Sequence, residues 1–277
     1  MELREARLTV VILTRNEERN IRGCLQAVPP GYPVVVLDSG STDRTLSIAK
    51  ELNAIIHESP WKGFAVQRNH ALTRCGISSS WVLFVDADER YSPEFFHLFE
   101  NSLASRSDFD VGMLPSLLVF KGKVLLHAPG YPIYHPRLVR TSAARFKPNH
   151  EGHGEAADVP PNRIAYFPDA PPYLHYFYEG DIERWLHKHV SLGKAGTLHA
   201  LDRSENALAT ARGRLSRWVS GSFWAGPLRF LYHYVLKAGF LDGRAGLEYS
   251  LMYGWYEYTK WLLKVCQSGQ AQEDGEW

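Results

Sequence analysis

At 277 residues the chain is long enough to bury a full core, as one large domain or two smaller ones. Its charge is nearly balanced, +1 overall, which excludes the basic excess of a dedicated nucleic-acid binder. Three scattered cysteines, Cys24, Cys75 and Cys266, give neither a disulfide framework nor a Cys-x-x-Cys metal site and predict a reducing compartment. Residues 1–7 are charged and lead into a strand, not a signal-peptide apolar core. No apolar run approaches the ~18 residues of a membrane span. The expected location is cytoplasmic, or peripheral on the cytoplasmic face of the inner membrane.

Leu8-Thr9-Val10-Val11-Ile12-Leu13 reads as a buried strand, rich in β-branched residues. Asn16 then suits the cap of a helix carrying Ile21, Leu25 and Val28. A second strand, Pro33-Val34-Val35-Val36-Leu37, ends in Asp38. Turn residues Ser39-Gly40-Ser41-Thr42-Asp43 follow, then a helix with Leu46, Ala49 and Leu52 inward. Ala54-Ile55-Ile56-His57 is a third strand, and residues 63–72 hold a loop and a helix. The fourth strand, Trp81-Val82-Leu83-Phe84-Val85, is uniformly apolar and runs into Asp86 and Asp88. Ser92 and Pro93 then open a helix as its N-cap and first residue. Strand and helix alternate over residues 8–105, the pattern of a doubly wound sheet with right-handed crossovers.

Three strands therefore end in polar residues, Thr14, Asp38 and Asp86/Asp88, at the edge where open α/β sheets bind ligands. Hard carboxylate oxygens there suit a magnesium or manganese ion shared with phosphates. An N-terminal cap cluster before the helix explains the same two acids without a metal. No Gly-x-Gly-x-x-Gly or P-loop motif follows any strand, which counts against Rossmann-type dinucleotide enzymes and P-loop NTPases.

Residues 112–120 and 123–126 form a strand pair around Lys121-Gly122. Beyond them Pro, Gly and His are dense through residues 129–155, and the segment reads as a long functional loop. From residue 181 the pattern is helical: Ile182, Trp185, Leu186, His189 and Val190 share one face. A second stretch carries Leu208, Ala211, Leu215, Trp218 and Val219. A third, opened by Pro227, carries Leu228, Leu231, Tyr232, Val235 and Leu236. A last helix runs through Leu247, Leu251, Trp255, Tyr258, Trp261, Leu262 and Val265. The expected division is a catalytic domain over residues 1–178, a helical extension over 179–266 and a disordered tail over 267–277.

Taken together these stretches resemble the family 2 glycosyltransferases, inverting enzymes of the GT-A fold. The nearest likeness is to the lipopolysaccharide-core β-1,4-glucosyltransferase branch. It is carried by Thr14-Arg15-Asn16-Glu17-Glu18-Arg19-Asn20-Ile21, by Val36-Leu37-Asp38-Ser39-Gly40-Ser41-Thr42-Asp43-Arg44-Thr45, by Pro60-Trp61-Lys62-Gly63-Phe64-Ala65-Val66-Gln67-Arg68-Asn69 and by Phe84-Val85-Asp86-Ala87-Asp88-Glu89-Arg90. His135-Pro136-Arg137-Leu138, His150-Glu151 and Gly239-Phe240-Leu241-Asp242-Gly243 add to it. Residues 171–178 depart from the pattern in being richer in proline and aromatics, which bears on acceptor choice.

The resemblance implies an α/β fold of GT-A type, a doubly wound mixed sheet with a C-terminal helical extension. It implies transfer of a hexose, from a UDP-sugar by resemblance alone, to a lipid-linked glycan or lipopolysaccharide-core acceptor. A divalent cation, Mn2+ or Mg2+, stabilises the departing diphosphate, with Asp88 as direct ligand and Asp86 on the ribose or a metal-bound water. The resemblance assigns Asp38 to the base and Thr14 and Glu17 to the same rim. A turn-forming role explains Asp38 equally in kind, and capping explains Asn16. Arg68 follows a loop expected to cover the donor, where a guanidinium suits a phosphate oxygen; a solvated surface arginine is the alternative. Inversion needs a general base for the acceptor hydroxyl: Glu151, with Asp169 as fallback and His150 to orient it or reach the metal. A plain solvated loop is the competing reading of that segment. His135, Arg137 and Trp61 are candidates for phosphate or acceptor contacts.

Residues 207–241 contain no acid but hold Arg212, Arg214, Arg217, Arg229 and Lys237 among aromatics. That composition suits an anionic membrane surface or a lipid-linked acceptor. Packing on the catalytic domain, or an oligomer interface, would also use the aromatics. Two other functions fit parts of the sequence. One is a phosphatase with Asp86 as nucleophile, whose motif wants Thr or Val where Arg90 stands. The other is a non-catalytic membrane adaptor.

Overall fold

The computed structural model describes residues 6–147, 156–177, 182–183, 185–187, 189–191 and 222–273. Leu8–Thr14 (β1), Ile21–Gln26 (α1), Val34–Asp38 (β2), Thr45–Glu51 (α2), Ile55–Glu58 (β3), Phe64–Arg74 (α3) and Trp81–Asp86 (β4) alternate as the sequence predicts. β1 lies parallel between β2 and β4, and β3 extends the sheet beyond β2. Val10, Ile12, Leu83 and Val85 pack on one face, against Ile21, Ile48, Ala49 and Phe95. Val11, Val82 and Phe84 pack on the other, with Ala65, Ala71 and Leu72 of α3. Both faces are covered, so these strands have no polar side, which is why they read as unbroken apolar runs.

Glu89–Arg90 (β5) and Pro93–Leu98 (α4) come next, and α4 continues into a π-helical turn over Phe99–Leu103. Ser92 holds the N-cap position and Pro93 the first helical one, but the Ser92 hydroxyl makes no capping bond. In α2 it is Thr45, Ile48 and Ala49 that are buried, with Leu46 only half-buried.

The strand pair expected around Lys121-Gly122 is present as Val111–Phe120 (β6) and Lys123–Leu125 (β7). Strands also enter the stretch expected to be loop, as Ile133–Arg140 (β8) and Phe146–Lys147 (β9), and Ala156–Ala157 (β10), Ile164–Tyr166 (β11) and Tyr173–Tyr176 (β12) follow. Of the two longest strands, β6 was expected and β8 was not, because Pro136 disguised it. Pro115 in β6 and Pro136 in β8 lie within paired strands, where a missing N–H is normally excluded. Pairing slips beside one of them, between Gly112 and Met113. The strand order is β3-β2-β1-β4-β8-β6-β12-β5, parallel through β4 and antiparallel where β8 joins β4 and β6. This is the GT-A-type α/β class expected, a mixed sheet with helices on both faces and a C-terminal helical extension.

Two compact units divide the chain. The sheet just described belongs to Met1–Leu117, Pro132–Asn149 and His153–Tyr176. The second unit takes Leu118–Tyr131 and the described residues from Phe177 onward. In it, the end of β6 and β7 form a hairpin whose turn residues Lys121 and Gly122 have φ of 51° and 72°, the double positive φ of a tight two-residue hairpin. Phe120, Leu125 and Ala128 pack with Phe177, Trp185 and Tyr249. Ala225–Leu231 (α5) leads through a π-helical segment, Tyr232–Leu236, and a 3-10 turn, Gly239–Asp242, into the long helix Gly243–Glu273 (α6). Pro227 lies inside α5 and does not open it. α6 runs on into the stretch expected to be a polar tail. The expected helix over 208–219 lies outside the described residues. No helix among the described residues is long and apolar enough to cross a membrane.

Candidate active site at the end of the fourth strand

β4 is buried on both faces until Asp86, where the chain turns through Ala87 and Asp88 and returns as β5. β5 is only two residues long, yet it pairs antiparallel with β12, setting His175 opposite Glu89. From the neighbouring β8, Arg137 reaches in, almost fully buried. One of its terminal nitrogens, Nη2, donates to Asp86 Oδ2 and to Glu89 Oε1, each at 2.6 Å. Arg68 of α3 is fully buried, with Nη2 3.7 Å from Asp86 Oδ1. Its guanidinium lies over the rings of Phe84 at 4.9 Å and Phe146 at 5.6 Å. Asn69 fixes Phe146 there by bonding both its backbone N–H and its carbonyl.

Glu89 is fully buried and also accepts the Asp86 backbone N–H at 3.1 Å. His175 Nε2 stands 3.4 Å from Asp88 Oδ2. His135 Nδ1 shares a 2.6 Å hydrogen bond with the Tyr173 hydroxyl. Burial alone would push the Asp86 carboxyl up, but Arg137 and then Arg68 outweigh it and hold it at about 2. For Glu89 burial wins over Arg137, and its carboxyl is pushed up to about 7. Burial would lower His175, yet the Asp88 carboxylate raises it to about 9, so the imidazole carries a proton at neutral pH.

The β1 and β2 ends adjoin this cluster, with Thr14 in register with Asp38. Asp38 is fully buried, and its carboxylate closes its own turn. Oδ2 accepts the N–H groups of Gly40 at 2.8 Å and Ser41 at 2.7 Å, and Oδ1 accepts the Ser41 hydroxyl. The Thr14 hydroxyl is buried without a hydrogen-bond partner. Asn16 does not cap α1, which begins at Ile21. It sits at φ 55°, donates its N–H to Ser41 Oγ and accepts the Thr42 N–H on its side chain. The loops after β1 and β2 are further joined by Glu17 N–H to Thr45 Oγ1, Glu18 N–H to Asp43 Oδ2 and Arg44 N–H to Glu18 Oε2.

Of the residues expected to act together, the structure gathers Asp86, Asp88, Arg68, Arg137, Thr14 and Asp38 at the carboxyl ends of β1, β2 and β4. Arg68 follows the loop, as expected, on α3; it is fully buried and faces Asp86, which rules out a solvated surface arginine. Trp61 is exposed and packs edge-on against Phe64. Asp169 lies in an exposed turn between β11 and β12. His150 and Glu151 lie outside the described residues. Sequence reasoning gave no role to Glu89, His175 or Tyr173. Glu89 follows the two acids closely enough to pass for part of their solvated end, and β12 is too short to show a period.

Whether these residues suit a divalent ion turns on which oxygens are engaged. Both Asp86 oxygens face guanidinium groups, and no three His, Cys, Asp or Glu side chains among the described residues converge on a point. Asp88 has only the His175 imidazole beside it among its ion pairs and is partly exposed. Magnesium and manganese keep waters and take one or two carboxylates with substrate phosphates. The fit is to an ion held by Asp88 and the substrate.

Comparison with known proteins sharpens this picture. Residues 9–115 match the family described as Glycosyl transferase family 2. The matched segment runs from Thr9 in β1 through β4 and into β6, and holds both acids of the Asp-x-Asp pair and Glu89. An uncharacterised glycosyltransferase of Rickettsia bellii is 36% identical over 107 residues, 38% of this chain and 36% of its own length. A lipopolysaccharide core biosynthesis glycosyltransferase, LpsC, of Rhizobium meliloti is 34% identical over 111 residues, 38% of this chain and 40% of its own. The chain thus spans well under half the length of these relatives. Among solved structures, a Pyrobaculum calidifontis mannosyltransferase in complex with GDP-Man and Mn2+ covers 94% of this chain and 87% of its own at 15% identity and a TM-score of 0.47. A likeness that distant says nothing about activity.

Proposed function

We propose that the protein transfers a sugar from a nucleotide diphosphate sugar to an acceptor hydroxyl. One observation carries this reading: within the family 2 segment, three adjacent parallel strands end in Thr14, Asp38 and Asp86, with Asp88 just beyond. The buried Thr14 hydroxyl has room in its bonding for a donor group. Arg137 and Arg68 keep Asp86 ionised and fixed, and the His175 imidazole stands beside Asp88. Asp88 would hold the divalent ion, which when bound supplies Lewis-acid stabilisation to the departing diphosphate.

In its finer form the reading has a UDP-hexose as donor and a lipid-linked glycan or lipopolysaccharide-core saccharide as acceptor, on the cytoplasmic face of the inner membrane. Inversion then uses Glu151 as general base, with Asp169 the fallback and His150 beside it. The His150-Glu151 resemblance and the name of the Rhizobium relative support this form.

The test is nucleotide release from a panel of nucleotide sugars, with and without Mn2+. The expected result is release from one donor, stimulated by the metal and reduced ~100-fold or more in Asp88→Asn, the scale of a lost Lewis acid. Silence with every donor, together with Asp88→Asn binding UDP as the wild type does, would sink the proposal.

A further inference from the structure

The second unit presents an apolar edge to solvent. Trp224, Leu228, Leu231 and Val235 recur at spacings of four, three and four residues, one face of a helix, and all four are exposed. The residues that α5 buries are Ala225 and Gly226. The stripe thus faces outward, against the alternative that these side chains pack on protein.

The 3-10 turn that follows holds Phe240 and Leu241, 50% and 60% exposed. This tip is built to be rigid. Asp242, almost fully buried, accepts the backbone N–H groups of Leu126, His127 and Ala128 at 3.1, 3.0 and 2.8 Å. Lys123 Nζ donates to the Asp242 carbonyl at 2.6 Å. Gly239 lies so close to the His233 carbonyl that a Cβ would fall 2.5 Å from it. His233 Nδ1 in turn bonds the Ala128 carbonyl at 2.7 Å. A clamped turn that presents two large apolar side chains to water has no folding rationale of its own, since each would be more stable covered.

Charge decides what covers it. Residues 207–241 contain no acid; within the described part Lys237 supplies positive charge beside the stripe, and Arg229 and Lys260 share the single carboxylate of Glu257, leaving a net positive charge there too. Aromatic residues stand at its start, middle and end, as they do at membrane interfaces. We infer that this edge inserts into an anionic bilayer surface, with Phe240 and Leu241 as a wedge and the outer face of α5 lying along the acyl boundary. The inference concerns a surface of the second unit and does not depend on sugar transfer, so either can fail alone.

The test floats the full chain with phosphatidylcholine vesicles containing or lacking phosphatidylglycerol. Stronger binding to the anionic vesicles, partly retained at high salt, is the expected outcome. The double variant Phe240→Ser with Leu241→Ser should lower vesicle partitioning ~10-fold or more, given the apolar area withdrawn, with an unchanged melting temperature. Leu228→Ser with Val235→Ser should do the same if the tip variant folds poorly. Equal flotation of variants and wild type overturns the inference. So does absence of flotation on both vesicles, including the case where Leu236→Asp breaks a dimer seen by light scattering, which would make the edge a self-interface.

Discussion

Asp38 and Asp86 end the parallel strands on either side of β1, and in sequence they look alike: an apolar run, then an acid. Their fates differ. Asp38 is satisfied within three residues, by the N–H groups and hydroxyl of its own turn. Asp86 is satisfied by Arg137, fifty-one residues away on β8, and faces Arg68 on α3. A carboxylate closed by its local turn is a fold element first. One held by distant guanidinium groups ties together the strand, the helix and the later antiparallel part of the sheet. The comparison shows why an acid at a strand end is no measure of its availability to a ligand.

Breaking the distant arrangement should cost most. Arg137→Met leaves Asp86 and Glu89 without their shared cation in a buried place, and unfolding in urea should show a loss of ~3–5 kcal/mol. A loss well under that would mean that Arg68 and His175 compensate. Breaking the local arrangement should cost less. Asp38→Ala strands two backbone N–H groups and should destabilise by ~1–3 kcal/mol, with Asp38→Asn falling between it and the wild type.

An ion pair elsewhere on the sheet separates stability from chemistry. Asp110 lies at the far end of β6 and accepts Arg163 Nε at 2.8 Å and Nη2 at 2.7 Å. The Arg163 hydrogen bonds hold its carboxyl below the usual range. A depressed carboxyl contributes stability above its unfolded value of about 4, and that contribution disappears as pH falls through the lower folded value. Asp110→Asn should therefore be less stable than the wild type at neutral pH, by ~1 kcal/mol or less, and its thermal melts should converge with the wild type's in acid.

The sequence made the parallel half of the sheet legible because its strands are buried on both faces and its helices carry one-sided periodicity. The antiparallel half was legible only in part: the strand pair around Lys121-Gly122 was read despite Pro115, whereas Pro136 and the shortness of β9 to β12 hid the rest. At the site, Asp86, Asp88 and Asp38 were legible because acids at apolar strand ends are conspicuous. Glu89 and His175 were not, since what joins them is a two-residue pairing between segments more than eighty positions apart. Arg68 was legible as a cation following a loop, but its burial was not, because nothing local announces that Phe84 and Phe146 enclose it. In the second unit periodicity found the stripe of α5 correctly, yet periodicity cannot say whether such a stripe meets protein or solvent.

The bonds between the loops after β1 and β2 have a mechanical consequence. Asn16, Glu17 and Glu18 are laced to Ser41, Thr42, Asp43, Arg44 and Thr45 by bonds running in both directions. Neither loop can swing aside while the other stays, so the lip over Thr14 and Asp38 behaves as one stiff plate. Any molecule entering there must fit an aperture already cut, and the adjustments that admit it have to come from elsewhere around the rim.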